Sequence, residues 1–492
     1  MDGSHASFLN ESVWNGKIYI DGWNAALGGT QDVTAPADGS HVATIGLATA
    51  ADLAKAAASA AAAQPAWEAT DPSVRAAILN RTADLLEANA QELIPWIIRE
   101  SGSIPPKAGI EIEHGAGFVR AAAEAAMETT TINLKSVDGR DAEEQLIRVA
   151  HGVVGVISPF NFPLILSIRA IAAALATGNA VVHKPDPRTP VTGGVMIARA
   201  FEEAGLPKGL LHIVPGGADV GAAMCEDPNI AMVSFTGSPE VGAKVGEACG
   251  RNLKKVQLEL GGKNALIVME DADLDIVASN AAWGAWLHQG QICMATGLIL
   301  APAAHAAKLA EALTTKAHHL PVGDPSKEQC ALGPLIVESE AKRIEGIVED
   351  AVAKGATLHV GGTAKGTMFP ATVLSGVKPG MRAFDEEIFG PVAVVVSYKD
   401  DDHAVELASM TDFGLVGSVI GKDVSRAKTL GLRLKVGHLH INDQTVIASP
   451  LAPFGGRGRS GNGSRISGPA IWEEFTQFVW VTVKPAATPY PF

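Results

Sequence analysis

Five short runs of apolar and β-branched residues alternate with helical segments between residues 151 and 260, and this alternation limits the folds open to the chain. The runs are Val153-Val154-Gly155-Val156-Ile157, Ala180-Val181-Val182, Leu211-His212-Ile213-Val214, Met232-Val233-Ser234-Phe235 and Val256-Gln257-Leu258. Strands separated by helices of roughly ten to fifteen residues need crossover connections, which build a parallel sheet covered on both faces. The sequence therefore predicts an α/β fold with a Rossmann-like, doubly wound parallel sheet.

Each of these runs ends in a polar turn that contains Gly or Pro or is followed by one. The turns are Ser158-Pro159-Phe160-Asn161, Lys184-Pro185, Pro215-Gly216-Gly217, Thr236-Gly237-Ser238 and Glu259-Leu260-Gly261-Gly262. Ligands of doubly wound sheets bind outside the carboxyl ends of the strands, where such turns come together. A row of these turns at one edge predicts a dinucleotide site.

The flanking segments predict further units. Residues 50–128 are Ala-rich and helical, with a capped helix start at Asp71-Pro72. Residues 131–150 alternate around a Val-Asp-Gly-Arg turn at 137–140, which is typical of a hairpin outside the main core. A second α/β unit is expected from Ala265 to about Val446, and the β-rich tail at 475–483 is expected to join another sheet.

Composition excludes several classes of function. The 492 residues carry 39 basic and 53 acidic side chains, a net charge of −14, which makes nucleic acid an unexpected partner. The apolar stretch at 164–182 contains Arg169 and Asn179 and is not expected to span a membrane. The first residues show no secretory signal pattern, so a cytoplasmic location is expected. Four scattered cysteines indicate neither a disulfide framework nor a metal site.

Cys293 is the cysteine whose setting suggests chemistry, because it follows a Gly-Gln turn instead of lying within an apolar helix. A thiol of ordinary pKa needs a base or a positive field to act as a nucleophile at neutral pH. Glu259 is the candidate base, since it ends an apolar strand just before a Gly-Gly turn. Taken alone, each residue also fits a purely structural role.

Eight motifs in order make the chain resemble the NAD(P)-dependent aldehyde dehydrogenase superfamily over nearly its whole length. They are Pro159-Phe160-Asn161-Phe162-Pro163, His183-Lys184-Pro185, Gly217-Ala218-Asp219-Val220-Gly221, Phe235 to Gly242, Leu258 to Lys263, Gly290 to Cys293, Glu386-Glu387-Ile388-Phe389-Gly390-Pro391 and Pro453-Phe454-Gly455-Gly456. The strings around Lys184 and Cys293 look most like those of the benzaldehyde and vanillin dehydrogenases. The resemblance thus implies an aromatic aldehyde as substrate.

The resemblance also implies roles for three catalytic residues. Cys293 would attack the aldehyde carbon to form a thiohemiacetal, whose hydride leaves to a nicotinamide. Asn161 and the main-chain N–H of Cys293 would stabilise the oxyanion. Glu259 would activate the water that hydrolyses the resulting thioester.

Further positions follow from the same resemblance. The implied cofactor residues are Ser158, Pro159, Phe160, Lys184, Gly217, Gly221, Phe235, Thr236, Gly237, Ser238, Val241, Gly242, Leu260, Glu387 and Phe389, and the implied substrate walls are Phe162, Ile292 and Met294. Pro187 stands where many NAD-preferring relatives have an acidic residue. Asp186 could replace that carboxylate, and Arg188 could accept a 2′-phosphate, so NAD is expected with NADP possible.

The expected organisation has three parts. Residues 1–126 and 150–258 would form the NAD(P)-binding domain, 259–450 a second α/β catalytic domain, and 127–149 with 470–492 a small β oligomerisation arm. The resemblance implies a homodimer or homotetramer in which the tail strand joins a neighbour's sheet.

Three alternative functions differ in which of these residues they require. A CoA-acylating aldehyde dehydrogenase would transfer the acyl group to CoA, but that subclass generally lacks the base at Glu259. A non-catalytic relative serving as a binding or structural protein would not need Cys293, Glu259 and Asn161 together. A thiol hydrolase would need a His partner, for which His288 is the candidate near Cys293 in sequence.

Overall fold

The computed structural model describes residues 7–128, 130–135 and 142–492. The turn expected at 137–140 lies outside these described residues. In the part of the chain that is described, no helix is long and apolar enough to cross a bilayer.

The first part of the chain forms short strands followed by four long helices. Its elements are α1 (Glu11–Trp14), β1 (Lys17–Tyr19), β2 (Trp23–Ala25), β3 (Thr30–Thr34), β4 (His41–Gly46), α2 (Ala50–Glu68), α3 (Pro72–Ala88), α4 (Ala90–Ser101) and α5 (Pro105–Ala126). Asp71 caps α3 by accepting from the Ser73 N–H, and Pro72 occupies the first helical position. The helices expected over 50–128 are confirmed.

The five runs of the sequence form the parallel centre of the first large sheet. The elements of this region are β5 (Thr131–Leu134), β6 (Glu143–Ala150), β7 (Val153–Ile157), α6 (Pro163–Ala176), β8 (Ala180–Lys184), α7 (Met196–Ala204), β9 (Leu211–Ile213), α8 (Ala218–Glu226), β10 (Ile230–Thr236), α9 (Pro239–Arg251) and β11 (Lys255–Glu259). The strand order is β11-β10-β7-β8-β9-β1-β2, with only β1 and β2 antiparallel. The doubly wound parallel sheet is confirmed.

The order of the strands reverses direction at β7. From β7 the chain proceeds to β8 and β9 on one side, and it then returns to β10 and β11 on the other. A crevice opens outside the carboxyl ends of the strands at such a switch point. The loops that begin at Ser158 and Gly237 follow β7 and β10 and therefore border this crevice.

The second α/β unit contains its own sheet of seven strands. Its elements are β12 (Asn264–Val268), α10 (Leu274–Trp286), β13 (Thr296–Pro302), α11 (Ala303–Ala317), α12 (Glu338–Ala353), β14 (Thr357–Val360), β15 (Thr372–Ser375), α13 (Arg382–Asp385), β16 (Val392–Tyr398), α14 (Asp401–Ser409), β17 (Phe413–Gly414), β18 (Val416–Ile420), α15 (Val424–Gly431) and β19 (His438–Ile441). The order is β14-β15-β16-β13-β12-β18-β19, and β14 alone is antiparallel. Separate apolar cores cover its two faces.

The end of the chain returns to the first half of the molecule. Its elements are β20 (Arg457–Gly458), α16 (Ala470–Phe475) and β21 (Thr476–Val483). β21 pairs antiparallel with β6 from Thr476 opposite Ala150 to Val483 opposite Glu143, and β6 also pairs with β5. The tail strand thus joins another sheet that is remote in sequence, as expected. That sheet belongs to its own chain, which differs from the neighbour's sheet that the resemblance implies.

Candidate active site

Two cavities meet at Cys293. The larger has a volume of about 880 Å³ and lies outside the carboxyl ends of β7, β8 and β10. The narrower has a volume of about 280 Å³ and is lined by α5, α6 and the loop that carries Cys293. Cys293, Asn161 and Leu166 line both cavities. Molecules held in the two cavities therefore meet beside the Cys293 thiol.

Hydrogen bonds and close packing fix the loop of Cys293, which lies between a 3₁₀ turn at Leu287–Gly290 and β13. The side-chain amide of Asn264 donates to the main-chain oxygens of Cys293 and Ala295, at 2.8 Å each. A Cβ on Gly290 would lie 2.2 Å from the carbonyl oxygen of Gly390, so only glycine permits this approach. Residues of the second α/β unit thus hold the thiol at the cavity junction.

The thiol of Cys293 is less exposed than its loop position suggests. Burial raises the pKa of Cys293 to about 12, while the nearby Arg169 guanidinium lowers it and the carboxylates of Glu387 and Glu259 raise it further. Because the thiolate is the nucleophilic form, the resting thiol needs a base when a substrate arrives.

Asn161 lies in the loop after β7 and is buried. The side-chain Nδ2 of Asn161 donates to the main-chain carbonyl oxygen of Gln291 at 2.8 Å. The main-chain carbonyl oxygen of Asn161 accepts from Nζ of Lys107 at 2.7 Å. A primary amide carries two N–H donors, so one remains for a ligand. Asn161 is thereby held next to the loop of Cys293 with a donor available at the junction.

Glu259 ends β11 and is 2% exposed. Among the described residues, neither of its carboxylate oxygens has a hydrogen-bond partner. Burial raises the pKa of Glu259 to about 8, against the opposing charges of Arg169 and Arg465. A Cβ on Gly455 would lie 2.8 Å from Oε1, so this glycine lets the chain pass close to the carboxylate. A carboxylate with such a pKa suits proton transfer near neutral pH.

Most of the expected cofactor residues line the larger cavity. They are Ser158, Pro159, Phe160, Lys184, Phe235, Thr236, Gly237, Ser238, Val241, Leu260, Glu387 and Phe389. The lining residues do not include Gly217, Gly221 or Gly242. Gly217 is the N-cap of α8, and a Cβ on Gly221 would make ordinary contacts with Lys184 at 3.8 Å. A Cβ on Gly242 would lie 2.4 Å from Leu260, so this glycine lets α9 pack against the cavity wall.

The polar groups of the larger cavity fit a dinucleotide. Helix α9 begins at the cavity with Ser238 as its N-cap, and a helix N-terminus attracts phosphate. Lys184 lies deeper, where burial lowers its pKa and the charges of Asp186 and Asp219 raise it. Its ammonium group can donate to ribose hydroxyls. The cavity volume is within the range of small-molecule sites.

Glu387 lies where the two domains meet. The N–H of Gly262 donates to its Oε1 at 2.9 Å, and burial raises its pKa to about 7. A Cβ on Gly261 would lie 2.1 Å from Oε2, so a larger residue at this strand end would displace the carboxylate from its present position. The remaining acceptor capacity of Glu387 faces the larger cavity and can bind a ribose hydroxyl.

Asp186 and Arg188, the two residues that flank Pro187, bind each other. Nε of Arg188 donates to Oδ1 of Asp186 at 2.8 Å, and Nη2 donates to Oδ2 at 2.6 Å. The guanidinium also lies 4.3 Å from the ring centroid of Phe160. A 2′-phosphate would have to compete with the Asp186 carboxylate for Arg188, which favours a cofactor without that phosphate.

The narrower cavity is mostly apolar and contains all three expected substrate walls, Phe162, Ile292 and Met294. Aromatic rings of Phe118, Trp283 and Phe454 complete its lining. Such walls favour a flat apolar ligand.

Arg169 is a lining residue of this cavity to which the sequence reasoning assigned no functional role. It lies on α6 and is 5% exposed, with its guanidinium 4.9 Å from the ring centroid of Phe454. A sequence signal was available, because Arg169 is the one charged residue in an otherwise apolar helix that begins just after Asn161.

The hydrolase alternative requires a bond that is not found. In the described part of the chain, neither ring nitrogen of His288 has a hydrogen-bond partner, and the His288 ring packs edge-on against Phe162 at 5.6 Å. Within residues 7–128, 130–135 and 142–492, no group of His, Cys, Asp and Glu side chains is arranged to hold a metal ion.

Comparisons with known proteins agree with the motifs. Residues 23–481 match the aldehyde dehydrogenase family. A vanillin dehydrogenase from an Amycolatopsis species is 49% identical over 99% of this chain and 100% of that protein. A benzaldehyde dehydrogenase (NAD(+)) from Pseudomonas putida is 45% identical over 98% of this chain and 99% of that protein.

A solved structure agrees as well. The crystal structure of a salicylaldehyde dehydrogenase from Pseudomonas putida G7, complexed with salicylaldehyde, superposes with a TM-score of 0.94 at 34% identity and covers 97% of this chain and 99% of that chain. The resemblance inferred from the eight motifs is confirmed. This chain belongs to the aldehyde dehydrogenase family of oxidoreductases.

Proposed function

We propose that this protein oxidises an aromatic aldehyde to the carboxylic acid with NAD. The main support is that Cys293 lies where the larger cavity, which is large enough for a dinucleotide, meets the narrower apolar cavity with its aromatic walls. The relatives named for vanillin, benzaldehyde and salicylaldehyde support an aromatic substrate, and the one named for NAD(+) supports the cofactor.

The first step forms a bond between Sγ of Cys293 and the aldehyde carbon. Glu259, which has no hydrogen-bond partner among the described residues, is available to take the thiol proton. The aldehyde oxygen becomes an oxyanion and accepts from the free N–H of Asn161 and from the main-chain N–H of Cys293. This thiohemiacetal lies at the junction of the two cavities.

The second half of the reaction releases the acid. When bound in the larger cavity, NAD supplies the acceptor for the hydride of the aldehyde carbon. A thioester then remains on Cys293. Glu259 first releases to solvent the proton that it took from the thiol, and it then takes a proton from a water molecule as that water attacks the thioester carbonyl. The carbon–sulfur bond breaks to give the carboxylic acid, and Glu259 returns the water's proton to the sulfur of Cys293.

The cofactor would be held by residues from both domains. Ser238 and the start of α9 would bind the diphosphate, Lys184 the adenosine ribose and Glu387 the nicotinamide ribose. The ion pair of Asp186 with Arg188 favours NAD, while NADP remains possible because a phosphate could displace Asp186 from Arg188.

We also propose that the sheet of β5, β6 and β21 is an oligomerisation arm in a homodimer or homotetramer. Phe478, Val479, Trp480 and Val483 of β21 are exposed, and β21 is an edge strand of its sheet. Exposed apolar side chains on an unpaired edge are typical of an interface. The cytoplasmic location stays a prediction.

The test is to measure initial rates of NADH and NADPH formation with benzaldehyde, vanillin and hexanal, each with and without CoA. Rapid oxidation of the two aromatic aldehydes with NAD, independent of CoA and lost in Cys293→Ala, is the expected result. A requirement for CoA would replace water by CoA as the acyl acceptor. If none of the three aldehydes yields NADH or NADPH, the proposed catalysis is overturned, and a role as a binding protein becomes the better account.

A further inference from the structure

Arg169 is a charged side chain buried in the wall of the apolar cavity. Ile165, Leu166 and Arg169 lie on one face of α6, Phe162 is the N-cap of this helix, and all four line this cavity. Phe162, Ile165 and Leu166 supply apolar surface. Arg169 places five N–H donors and a full positive charge in the same wall.

At least one N–H donor of Arg169 is available to a ligand. In the part of the chain that the structure describes, its Nε has no hydrogen-bond partner. Glu259 and Cys293 act on Arg169 only as nearby charges, and the Phe454 ring covers one face of the guanidinium. A buried N–H donor of a cation is costly when it has no partner, and that cost falls when a ligand brings an acceptor.

The other charged or titratable side chains around this cavity are engaged or peripheral. Nζ of Lys107 already donates to Glu111 and to the carbonyl oxygen of Asn161. His114 lies on α5 and is exposed. His438 does not line the cavity; its ring lies 4.6 Å from that of Phe454, and its Nε2 accepts from the Gly455 N–H. Among the residues that the structure describes, Arg169 is therefore the cation available to a ligand in this cavity.

We propose that Arg169 binds an oxygen substituent on the ring of the aromatic aldehyde, so that ring-hydroxylated aldehydes are preferred over benzaldehyde itself. This inference rests on the proposed function. The aldehyde group must reach Cys293 and Asn161 at one end of the cavity, so the ring lies among the apolar side chains and a substituent on it can meet the guanidinium. A hydroxyl oxygen can accept from Arg169, whereas a methyl group of similar size leaves the cation unpaired.

The first experiment uses the wild-type protein and compares kcat/KM for 2-, 3- and 4-hydroxybenzaldehyde with that for the corresponding methylbenzaldehydes. We expect one hydroxylated isomer to exceed its methyl counterpart by about 10- to 100-fold, the range for a hydrogen bond to a charged group. Equal values for every pair would overturn the inference. Oxidation of none of these aldehydes would instead overturn the proposed function.

The second experiment removes the charge. Arg169→Met keeps much of the side-chain length and should abolish the preference for the hydroxylated isomer, while Arg169→Lys should restore part of it. Ile165→Ala, on the same helical face, is the matched control and should lower kcat/KM for both members of a pair alike. An equal loss for both members in Arg169→Met would assign Arg169 to the reaction of Cys293 and would contradict a role in specificity.

A binding measurement separates specificity from chemistry. In Cys293→Ala, which cannot form the thiohemiacetal, adding Arg169→Met should raise the Kd of the preferred hydroxybenzaldehyde by about 10-fold or more and leave the Kd of benzaldehyde nearly unchanged. Unchanged binding of both would overturn the inference. If Arg169→Met does not fold, the wild-type comparison and Arg169→Lys still decide the question.

Discussion

Nδ2 of Asn161 donates a hydrogen bond of 2.8 Å to the carbonyl oxygen of Gln291, two residues before Cys293. The donor comes from the loop after β7 of the first sheet, and the acceptor belongs to the loop that precedes β13 of the second sheet. One bond thus sets the position of the oxyanion donor relative to the nucleophile across the two domains.

Replacing Asn161 with Ala should lower kcat by about 100- to 1,000-fold, because an oxyanion donor acts mainly in the transition state. KM for the aldehyde should change much less. Steady-state kinetics test this, and Asn252→Ala on the surface end of α9 serves as the control. A rise in KM with kcat preserved would mean that Asn161 only shapes the binding site.

The hydrolytic step should depend on pH through Glu259. Its pKa is raised to about 8, and it accepts a proton only when ionised, so thioester hydrolysis should accelerate as pH rises through about 8 and level off above it. Glu259→Gln should lose this rise. Because Glu259 also takes the thiol proton, the first turnover of NADH should slow together with the steady state, which rapid mixing measures. The exposed Glu247→Gln should behave as wild type. A pH profile that survives in Glu259→Gln would remove the base role.

The same carboxyl should reduce stability at higher pH. The unfolded chain ionises Glu259 near the ordinary pKa of 4.5, whereas the folded protein keeps the proton up to about 8, so unfolding is favoured as pH rises between these values. Glu259→Gln should therefore unfold at a higher temperature than wild type at pH 8, with a difference that shrinks toward pH 4.5. Calorimetry over this range measures it, and a constant difference would argue against the raised pKa.

The buried ion pair of Lys107 with Glu111 should behave differently from an exposed one. Glu111 also accepts from the N–H of Leu164 at 3.0 Å, in the first turn of α6. Lys107→Met alone should cost about 3–5 kcal/mol, since it leaves a buried carboxylate unpaired, and Lys107→Met/Glu111→Leu should cost less. The surface pair provides the control, because Arg251→Met, facing Glu247, should cost at most about 1 kcal/mol. Denaturant titrations that give equal losses would contradict this account.

Gly261 tests the contact with Glu387. An added methyl group would lie 2.1 Å from Oε2 and must displace the carboxylate from the cofactor cleft. Gly261→Ala should therefore raise KM for NAD by about 10-fold or more, as expected for losing a hydrogen bond to a charged group. Gly250→Ala, where a methyl group meets open space, should leave KM for NAD unchanged.

The sequence predicted those strands and helix starts that depend on residues close together in the chain. The runs at 153–157 and 230–236 became neighbouring parallel strands because β-branched residues and short helices leave few other arrangements. The motifs also located Cys293, Glu259 and Asn161, since their order along the chain is distinctive. The Asp71 cap needed no tertiary information.

The features that the sequence did not predict depend on contacts that form only in the folded chain. Arg169 was one charge in an apolar stretch, and only the folded chain puts it against Phe454 and beside the cavity. The pairing of Asp186 with Arg188 depends on side-chain direction, which the Pro187 departure alone does not give. The close approach of Gly242 to Leu260 likewise exists only once α9 packs against that loop.

The pairing of β21 with β6 has a consequence for biosynthesis. Ala150 can pair with Thr476 only after residue 476 has been synthesised. The outer edge of β6 therefore stays unpaired while most of the remaining chain leaves the ribosome. An open strand edge is a template for pairing with other nascent chains. Translation that stops before residue 476 therefore leaves a product with this edge permanently exposed, and such fragments should aggregate even when both large sheets have formed.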